Sequence, residues 1–171
     1  MMKYSRTEGM LLDRPMLHIY LIYFGIGDKS VVHALVSALK DKDWRVRAAA
    51  ARALGKTGSL PRKAVLQLRK LRRNDEKTAV RVWAAYALYT LRKEKRFFSF
   101  ILEAIRSKDG CVREASVKVL GELWDKRALV LLIDALGDKV ASVSAAAARV
   151  LGKLGDKHAV SPLINTLKSR W

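Results

Sequence analysis

Cysteine and side-chain amides are scarce in this sequence. Cys111 is the one cysteine among 171 residues, so the chain can form no internal disulfide and no cysteine cluster with metal-binding spacing. A cytoplasmic location is the natural expectation for such a protein. Only Asn74, Asn165 and Gln67 carry side-chain amides, which together with 29% charged residues is typical of proteins from thermophiles. We therefore expect a thermophilic source.

Long apolar runs are also lacking. The apolar run at residues 16–24 is too short to cross a bilayer, and it contains His18. Residues 1–10 are polar and do not have the pattern of a signal peptide. The sequence thus predicts no membrane anchor.

Acidic residues are few relative to basic ones. The chain has 34 Lys and Arg against 16 Asp and Glu, which gives a net charge of +18 and an isoelectric point near 10.4. A charge this far from balance indicates an acidic partner. Half of the residues are hydrophobic, which is enough for one domain with a sizeable core.

An internal repeat is the main feature that the sequence does contain. A valine recurs at spacings of 34, 32 and 31 residues, and arginine follows it in the first three copies. The four anchor valines are Val46, Val80, Val112 and Val143. Small and apolar residues follow each anchor at offsets of three, four, seven and eight, which share one face of a helix. We call this helix B, and its alanines allow close packing.

A second predicted helix, helix A, precedes each helix B. The turn between them carries aspartates that can cap the free amides of helix B, namely Asp41, Asp43, Asp75, Asp109 and Asp138. Gly55 and Gly152 lie near the end of helix B, where a left-handed residue can close the last turn. No strand pattern competes, so the repeat predicts a helical hairpin.

These phrases resemble a known family. VRAAAARALGKTG at residues 46–58 and DKHAVSPLINTLK at residues 156–168 are similar to the HEAT-like repeats first named from phycobilisome lyases. The resemblance covers about residues 28–171 and implies an all-α fold, a right-handed α-solenoid of antiparallel helix pairs. It also implies that Arg47, Arg81 and Arg113 bond to turn aspartates, whereas the fourth repeat has Ser144. The family includes lyases, hydroxylases, DNA glycosylases and scaffolds, so the resemblance implies no single activity.

The spacings also predict the organisation of the domain. Residues 1–27 are expected to be an N-terminal capping helical segment. The repeats are expected at 28–59, 60–95, 96–124 and 125–155, with a half-repeat at 156–171. The half-repeat would be capped, with Trp171 folded over it, or would support self-association through its apolar surface. Capping is favoured, because terminal repeats are usually atypical.

Helix B of each repeat should line the concave surface of the solenoid. Positions one before the anchor valine, and two, six and ten after it, point away from the core. These outward positions, together with Trp83 at the third offset of the second repeat, predict a ladder of cations and aromatic residues. Its members are Arg45, Arg52, Lys56, Trp83, Tyr86, Lys118, Arg149 and Lys153. Such a ladder suits a phosphate backbone with stackable bases. The alternatives are a solvated charged face and, for Trp83, a core position.

The second repeat is especially basic. Residues 61–96 hold twelve Lys and Arg against three Asp and Glu, an excess of nine. We predict one basic group at the end of helix A and another at the far end of helix B: Arg69, Lys70, Arg72 and Arg73, then Arg92, Lys93, Lys95 and Arg96. The first group also suits the negative end of the helix dipole, but four cations are more than the dipole requires. The clustering calls for a counter-charge.

Catalytic and cofactor sites are not indicated. His18, His33 and His158 are far apart in sequence, and none is followed by the glutamate of the iron-binding pairs found in related hydroxylases. Cys111 has no paired base. We therefore predict no metal and no cofactor.

Three functions remain open. The first is a non-catalytic module whose basic concave surface binds the backbone of RNA or DNA. The second is an adaptor for an acidic protein, anchored by Trp83 and Tyr86. The third is a DNA-modifying enzyme in which Trp83, Tyr86 and Glu122 would handle a damaged base. The sequence favours the first.

Overall fold

The structure consists of helices joined by short turns. The computed structural model describes residues 29–168, without the side chains of Lys29, Lys126 and Leu167. The predicted capping segment at 1–27 and the predicted position of Trp171 lie outside the described residues. Within them the helices are α1 (Lys29–Ala38), α2 (Trp44–Gly55), α3 (Arg62–Asn74), α4 (Thr78–Arg92), α5 (Lys95–Ala104), α6 (Gly110–Leu123), α7 (Leu129–Asp134), α8 (Ala141–Leu154) and α9 (Val160–Lys168).

The helices alternate between two layers. Odd-numbered helices are the predicted A helices and even-numbered ones the predicted B helices. Each B helix packs on its A partner and on the B helix of the next repeat, so that α2, α4, α6 and α8 form a continuous row. This arrangement confirms the predicted all-α solenoid of helix pairs. The helix pairs span residues 29–55, 62–92, 95–123 and 129–154, and Lys95 begins α5 rather than ending the predicted second repeat.

Small residues let the B helices approach closely. Alanines of α2, α4 and α8 are buried in the core at the predicted offsets, except Ala49 of α2, which is half-buried. Gly55 lies directly against Tyr86, where a Cβ atom would collide with the ring. A Cβ on Gly121 would lie 2.6 Å from a methyl group of Val150. These glycines therefore serve close packing, whereas Gly155, with φ of +62°, is the left-handed residue that ends α8.

Turn aspartates organise the starts of the B helices. Asp43 and Asp109 accept hydrogen bonds from the backbone amides of Arg45 and Cys111, as predicted for helix caps. Asp41, Asp75 and Asp138 lie earlier in their turns, and each accepts a bond from the amide two residues ahead. Their carboxylates fix the turn rather than cap the helix directly.

Two arginines join successive repeats. Arg47 donates from Nε and Nη2 to the two carboxylate oxygens of Asp75, at 2.8 and 2.9 Å. Arg113 makes the same pair of bonds to Asp138, at 2.6 and 2.8 Å. Both guanidinium groups are buried and also donate to backbone carbonyls of their own turn. The role that the resemblance implied is confirmed for these two residues.

Arg81 does not follow this pattern. The aspartates that receive Arg47 and Arg113 stand five residues before the next anchor valine, and the position that would receive Arg81 is Ser107. Ser107 still accepts the bond from the amide two residues ahead, but it brings no negative charge. Arg81 instead lies over the ring of Phe100, at 5.7 Å. The implied aspartate partner of Arg81 is therefore absent at this junction. In the fourth repeat, Ser144 bonds to the carbonyl of Leu136.

Candidate interaction surfaces

Five of the predicted ladder residues meet in one hollow on the B helices. Arg52 and Lys56 come from α2, Lys118 from α6, and Arg149 and Lys153 from α8. The hollow has a volume of about 390 Å³ and is also lined by Glu122, Trp124 and Val150. We call this set the B-face hollow. The structure thus brings these five predicted cations together in one hollow.

Glu122 lies between the cations from α2. Arg52 donates from Nε to Oε1 at 3.1 Å, and the ammonium group of Lys56 lies 2.9 Å from Oε2. Burial raises the pKa of Glu122, but the bonds from Lys56 and Arg52 outweigh burial and hold this pKa below its ordinary value. Glu122 is thus an ionised counter-ion that joins α2 to α6 across α4.

Glu114 neutralises part of the remaining charge. It forms an ion pair with Lys118 one helical turn away and accepts a bond from Ser142 Oγ at 2.7 Å. Among the described residues, no ion pair involves Arg149 or Lys153. The lining of the hollow therefore has five cations and one carboxylate, Glu122, while Glu114 pairs with Lys118 from outside the lining. The unpaired positive charge lies on the α8 side.

The predicted aromatic members of the ladder are buried. Trp83 is 7% exposed and Tyr86 3% exposed, and their rings meet edge to face at 5.7 Å. Arg52 covers Trp83 at 5.4 Å, while burial and the charge of Glu122 raise the pKa of Tyr86 to about 12. The prediction that these rings offer a stacking platform or protein anchor is wrong, because they fill the space between B helices. The alternative prediction for Trp83, a core position, is confirmed.

The ring that reaches solvent at the hollow is Trp124. Its side chain is 60% exposed, and its backbone is left-handed, with φ of +52°. It directly follows α6 and so stands at the rim beside Glu122. Arg45 lies apart from the hollow: it pairs with Asp43 in its own turn and is highly exposed. Its prediction as a ladder member is not supported.

A second basic surface lies on the A helices. Arg69, Arg72 and Arg73 of α3 line a groove of about 300 Å³ together with Leu88 of α4 and Arg96 and Phe97 of α5. We call this set the A-face groove. Leu88 and Arg81 are two helical turns apart on one face of α4, whereas Trp83 and Tyr86 lie on the other. The groove and the hollow are therefore on opposite sides of α4.

Aromatic rings hold the arginines of the groove. The guanidinium of Arg72 stacks on Phe100 at 3.8 Å, and that of Arg96 lies over Phe97 at 4.9 Å. Burial lowers the pKa of Arg72, and the charges of Arg81 and Arg96 lower it further. The prediction that Arg96 lies at the far end of helix B from the first basic group is wrong, because α5 returns beside α3.

The other predicted basic residues lie outside the groove lining. Arg92, Lys93 and Lys95 are exposed near the turn between α4 and α5, and Lys93 covers the ring of Tyr89 at 5.0 Å. Lys70 is exposed on α3. The eight predicted residues thus divide into four that meet in the groove and four that do not.

The histidines and the cysteine do not form a centre in the part of the chain that is described. His33 and His158 are exposed on different repeats, and Cys111 is an exposed free thiol. No group of three or more His, Cys, Asp and Glu residues within residues 29–168 is arranged to hold a metal ion. His18 lies outside the described residues. In the same range, none of the helices has the length and apolar character needed to cross a membrane.

The family of the chain follows from its repeats. Residues 19–95 and 98–171 match the model described as HEAT repeats, which covers the helix pairs of both halves. The chain belongs to the HEAT repeat family. HEAT repeats form scaffolds for protein interaction, and this chain is a scaffold of that kind.

Solved structures show similar helical arrays. The complex of CpcE and CpcF of phycocyanin lyase from Nostoc sp. PCC7120 contains a chain with 24% identity and a TM-score of 0.48, covering 90% of this chain and 69% of that one. An engineered protein has 18% identity and a TM-score of 0.44, covering 91% of this chain and 81% of the other. A comparison with curated proteins finds no match.

Several residues of the two surfaces were not predicted as site residues. Glu114 precedes Lys118 by four positions, a spacing that indicates an ion pair on a helix. The missing aspartate at Ser107 is visible once the turns are aligned on the anchor valines. The pairing of Arg52 with Glu122 spans 70 residues, and no local pattern indicates it.

Proposed function

We propose that this HEAT repeat protein is a non-catalytic scaffold that binds an acidic protein segment in the B-face hollow. The observation that carries the proposal is the meeting of five cations from three B helices beside the exposed ring of Trp124. Tryptophan and arginine are the residues that most often dominate the binding energy of protein interfaces.

Unpaired positive charge gives the hollow its preference for acidic ligands. Arg149 and Lys153 line the same space as Lys118, and the five cations are offset only by Glu122 in the lining and by Glu114 outside it. Carboxylates of a partner can pair with the cations of α8 without displacing Glu122 from Arg52 and Lys56. Such complementary charge steers association and fixes the orientation of the partner.

The arrangement of rings favours a protein over a single-stranded nucleic acid. Bases of a single strand need several accessible faces on which to stack, whereas Trp83 and Tyr86 are enclosed between B helices. Trp124 offers one exposed ring, and Val150 is the other large apolar side chain in the lining of the hollow. A segment that combines acidic residues with one apolar side chain matches this surface.

A non-catalytic role is part of the same proposal. Glu122 is the central carboxylate of the hollow, and two cations already neutralise it. Its lowered pKa keeps it ionised and makes it a poor proton donor near neutral pH. These contacts support a structural role for Glu122 rather than the part of a base-handling carboxylate in a DNA-modifying enzyme.

Nucleic acid remains the second candidate partner. The net charge of +18 and the unpaired cations of α8 favour binding of a phosphate backbone through charge alone. Such binding would need no ring for stacking. It would weaken steeply with salt, because neutralised phosphates release counter-ions.

The test compares an acidic peptide with nucleic acids on the same protein. A fluorescent peptide of Glu and Asp residues around one leucine would be titrated beside single-stranded RNA, single-stranded DNA and duplex DNA, each over a salt series. The variant Arg149→Gln/Lys153→Gln removes charge in the hollow. Arg62→Gln/Lys63→Gln removes the same charge at exposed positions at the start of α3 and is the matched control.

The proposal expects the peptide to bind and the hollow variant to weaken that binding at least tenfold, with little effect of the control. Trp124→Ala should weaken binding of the peptide and leave the binding of nucleic acids nearly unchanged. Tighter binding of nucleic acid that depends on Arg149 and Lys153 would replace the proposal by the second candidate. Equal losses in the hollow variant and the control would refute a specific hollow for either partner.

A further inference from the structure

The A-face groove concentrates positive charge that the fold itself does not neutralise. Four arginines line it, and among the described residues only Arg96 has an ion-pair partner, Glu94 at 2.5 Å. The Nε atoms of Arg69, Arg72 and Arg81 are buried and have no hydrogen-bond partner. Buried polar atoms are normally satisfied, so the orphaned nitrogens of Arg69 and Arg72 in the lining, and of Arg81 outside it, indicate arginines that the fold leaves without acceptors.

The origin of this excess is one position in the repeat. Arg47 and Arg113 each meet an aspartate of the next turn. Arg81 holds the same place in its helix but faces a turn in which Ser107 stands for that aspartate. Its charge therefore remains uncompensated and adds to that of Arg72, with which it shares the ring of Phe100. Among the junctions between full repeats in residues 29–168, the one beside the groove is the one whose arginine lacks an aspartate partner.

The arginines are held in place before any ligand arrives. Arg72 stacks on Phe100 and Arg96 on Phe97, so both guanidinium planes are fixed by rings. Crowding of like charges at partly buried positions costs free energy in the empty groove. An anion that bridges the arginines relieves this repulsion, and the cost in side-chain entropy is reduced for Arg72 and Arg96, which ring contacts already hold.

The chemistry of the donors specifies the class of anion. Guanidinium groups present parallel N–H donors that match pairs of oxygens on phosphate. The rings of Phe97 and Phe100 are covered by arginines and cannot stack on a base. A volume of about 300 Å³ holds roughly ten water-sized groups, which is more space than a single tetrahedral oxyanion fills. The lining carries four positive charges, and Glu94, outside the lining, offsets that of Arg96, so that three remain without an ion pair.

We propose that the A-face groove is a binding site for linked phosphoryl groups, as in a diphosphate or triphosphate, with the terminal nitrogens of Arg69, Arg72, Arg73 and Arg96 as the donors. The site is independent of the B-face hollow, because it lies on the other side of α4. It recognises the phosphate chain and makes no contact with a nucleoside. Inorganic and nucleoside phosphates of the same chain length therefore bind equally well.

The test measures binding to the full chain by calorimetry, together with thermal unfolding. Pyrophosphate, inorganic triphosphate and adenosine triphosphate are compared with orthophosphate and sulfate in magnesium-free buffer at constant ionic strength. We expect the linked phosphates to bind at least tenfold more tightly than the single oxyanions and to raise Tm. Adenosine triphosphate should match inorganic triphosphate, and much tighter binding of the nucleotide would overturn the assigned ligand class.

Two variants locate the site, and a third serves as a charge control. Arg72→Gln/Arg73→Gln should weaken pyrophosphate binding at least tenfold, and Arg73→Gln alone, at an exposed position, should weaken it severalfold without a change in fold. Arg149→Gln/Lys153→Gln removes the same charge on the other face and should leave pyrophosphate binding within twofold. Equal losses in the groove double variant and this control would mean that pyrophosphate responds only to the overall charge of +18, which would refute the site.

A fourth variant restores the missing aspartate. Ser107→Asp should give Arg81 the carboxylate that Arg47 and Arg113 already have, raise Tm without ligand and weaken pyrophosphate binding severalfold. Arg81→Gln should remove any effect of Ser107→Asp on Tm. A Ser107→Asp protein that binds pyrophosphate as tightly as the original chain would contradict the role of the uncompensated arginine.

Discussion

The B-face hollow and the A-face groove treat positive charge in opposite ways. In the hollow, Arg52 and Lys56 share Glu122, and Lys118 pairs with Glu114. In the groove, arginines stack on phenylalanine rings, and three guanidinium nitrogens stay buried without partners. A carboxylate satisfies both the charge and the donors of an arginine, whereas a ring only holds its plane. The α2 side of the hollow is therefore neutralised within the chain, whereas the cations of its α8 side and the α3 arginines of the groove have no ion pair among the described residues.

The strongest contrast concerns equivalent arginines of two repeats. Replacing Arg113 by alanine leaves Asp138 buried without its partner and frees two backbone carbonyls. We expect a loss of about 3–5 kcal/mol in the free energy of unfolding. Arg81→Ala removes an uncompensated charge and should change stability by less than about 1 kcal/mol. Urea unfolding of both variants measures the difference, and equal losses would show that Arg81 has a hidden partner.

An intermediate loss of stability is expected when the hollow, like the groove, lacks a carboxylate beside its cations. Glu122→Gln leaves Arg52 and Lys56 without their shared counter-ion, which should destabilise the fold by about 1–3 kcal/mol near neutral pH. The lowered pKa of Glu122 means that its stabilisation is present above the ordinary carboxyl pKa of about 4.3 and is lost as pH falls through the folded-state value.

A pH series of unfolding midpoints checks this sign. The original chain should lose stability towards acid more steeply than Glu122→Gln does, because the variant has no carboxylate to protonate at that position. Parallel curves for the two proteins would show that Glu122 does not contribute through its charge. Glu103→Gln, at an exposed carboxyl on α5 with no ion pair among the described residues, is the matched control.

The smallest effect on stability is expected at Trp124, on the rim of the hollow, where a substitution should change peptide binding but not folding. Trp124 has a left-handed backbone that glycine adopts without strain. Trp124→Gly should therefore leave stability unchanged or raise it by about 1 kcal/mol, while the acidic peptide binds more weakly. A loss of more than about 1 kcal/mol in the free energy of unfolding would show that the ring of Trp124 supports the fold.

The sequence predicted the repeat and much of the hollow because both follow from helical geometry. The anchor valines and their alanines occupy positions that recur at fixed offsets, so the B helices and their core face could be located. The same offsets placed Arg52, Lys118 and Arg149 on one surface. The arginines that join repeats followed from the family pattern, which held at Arg47 and Arg113.

Other features depend on contacts between repeats that helical offsets do not encode. Tyr86 occupies an outward offset, yet its ring sinks against α2 because Gly55 has no Cβ atom there. Arg96 joins the arginines of α3 because α5 packs beside that helix. Trp124 was not recognised because it follows the last residue of α6 rather than lying on a predicted helix face. Val160 and Ile164 of α9 are exposed. Whether the half-repeat caps the stack or associates with a second copy stays a prediction.

The contact between Arg52 and Glu122 also affects the mechanics of the array. In a repeat protein, stability is usually a sum of terms within repeats and between nearest neighbours. This ion pair joins the first described repeat to the third, and so acts as a brace over the second. Bending the row of B helices away from the hollow would stretch it. A partner that draws Arg52 away from Glu122 would therefore also release a direct link between the first and third described repeats.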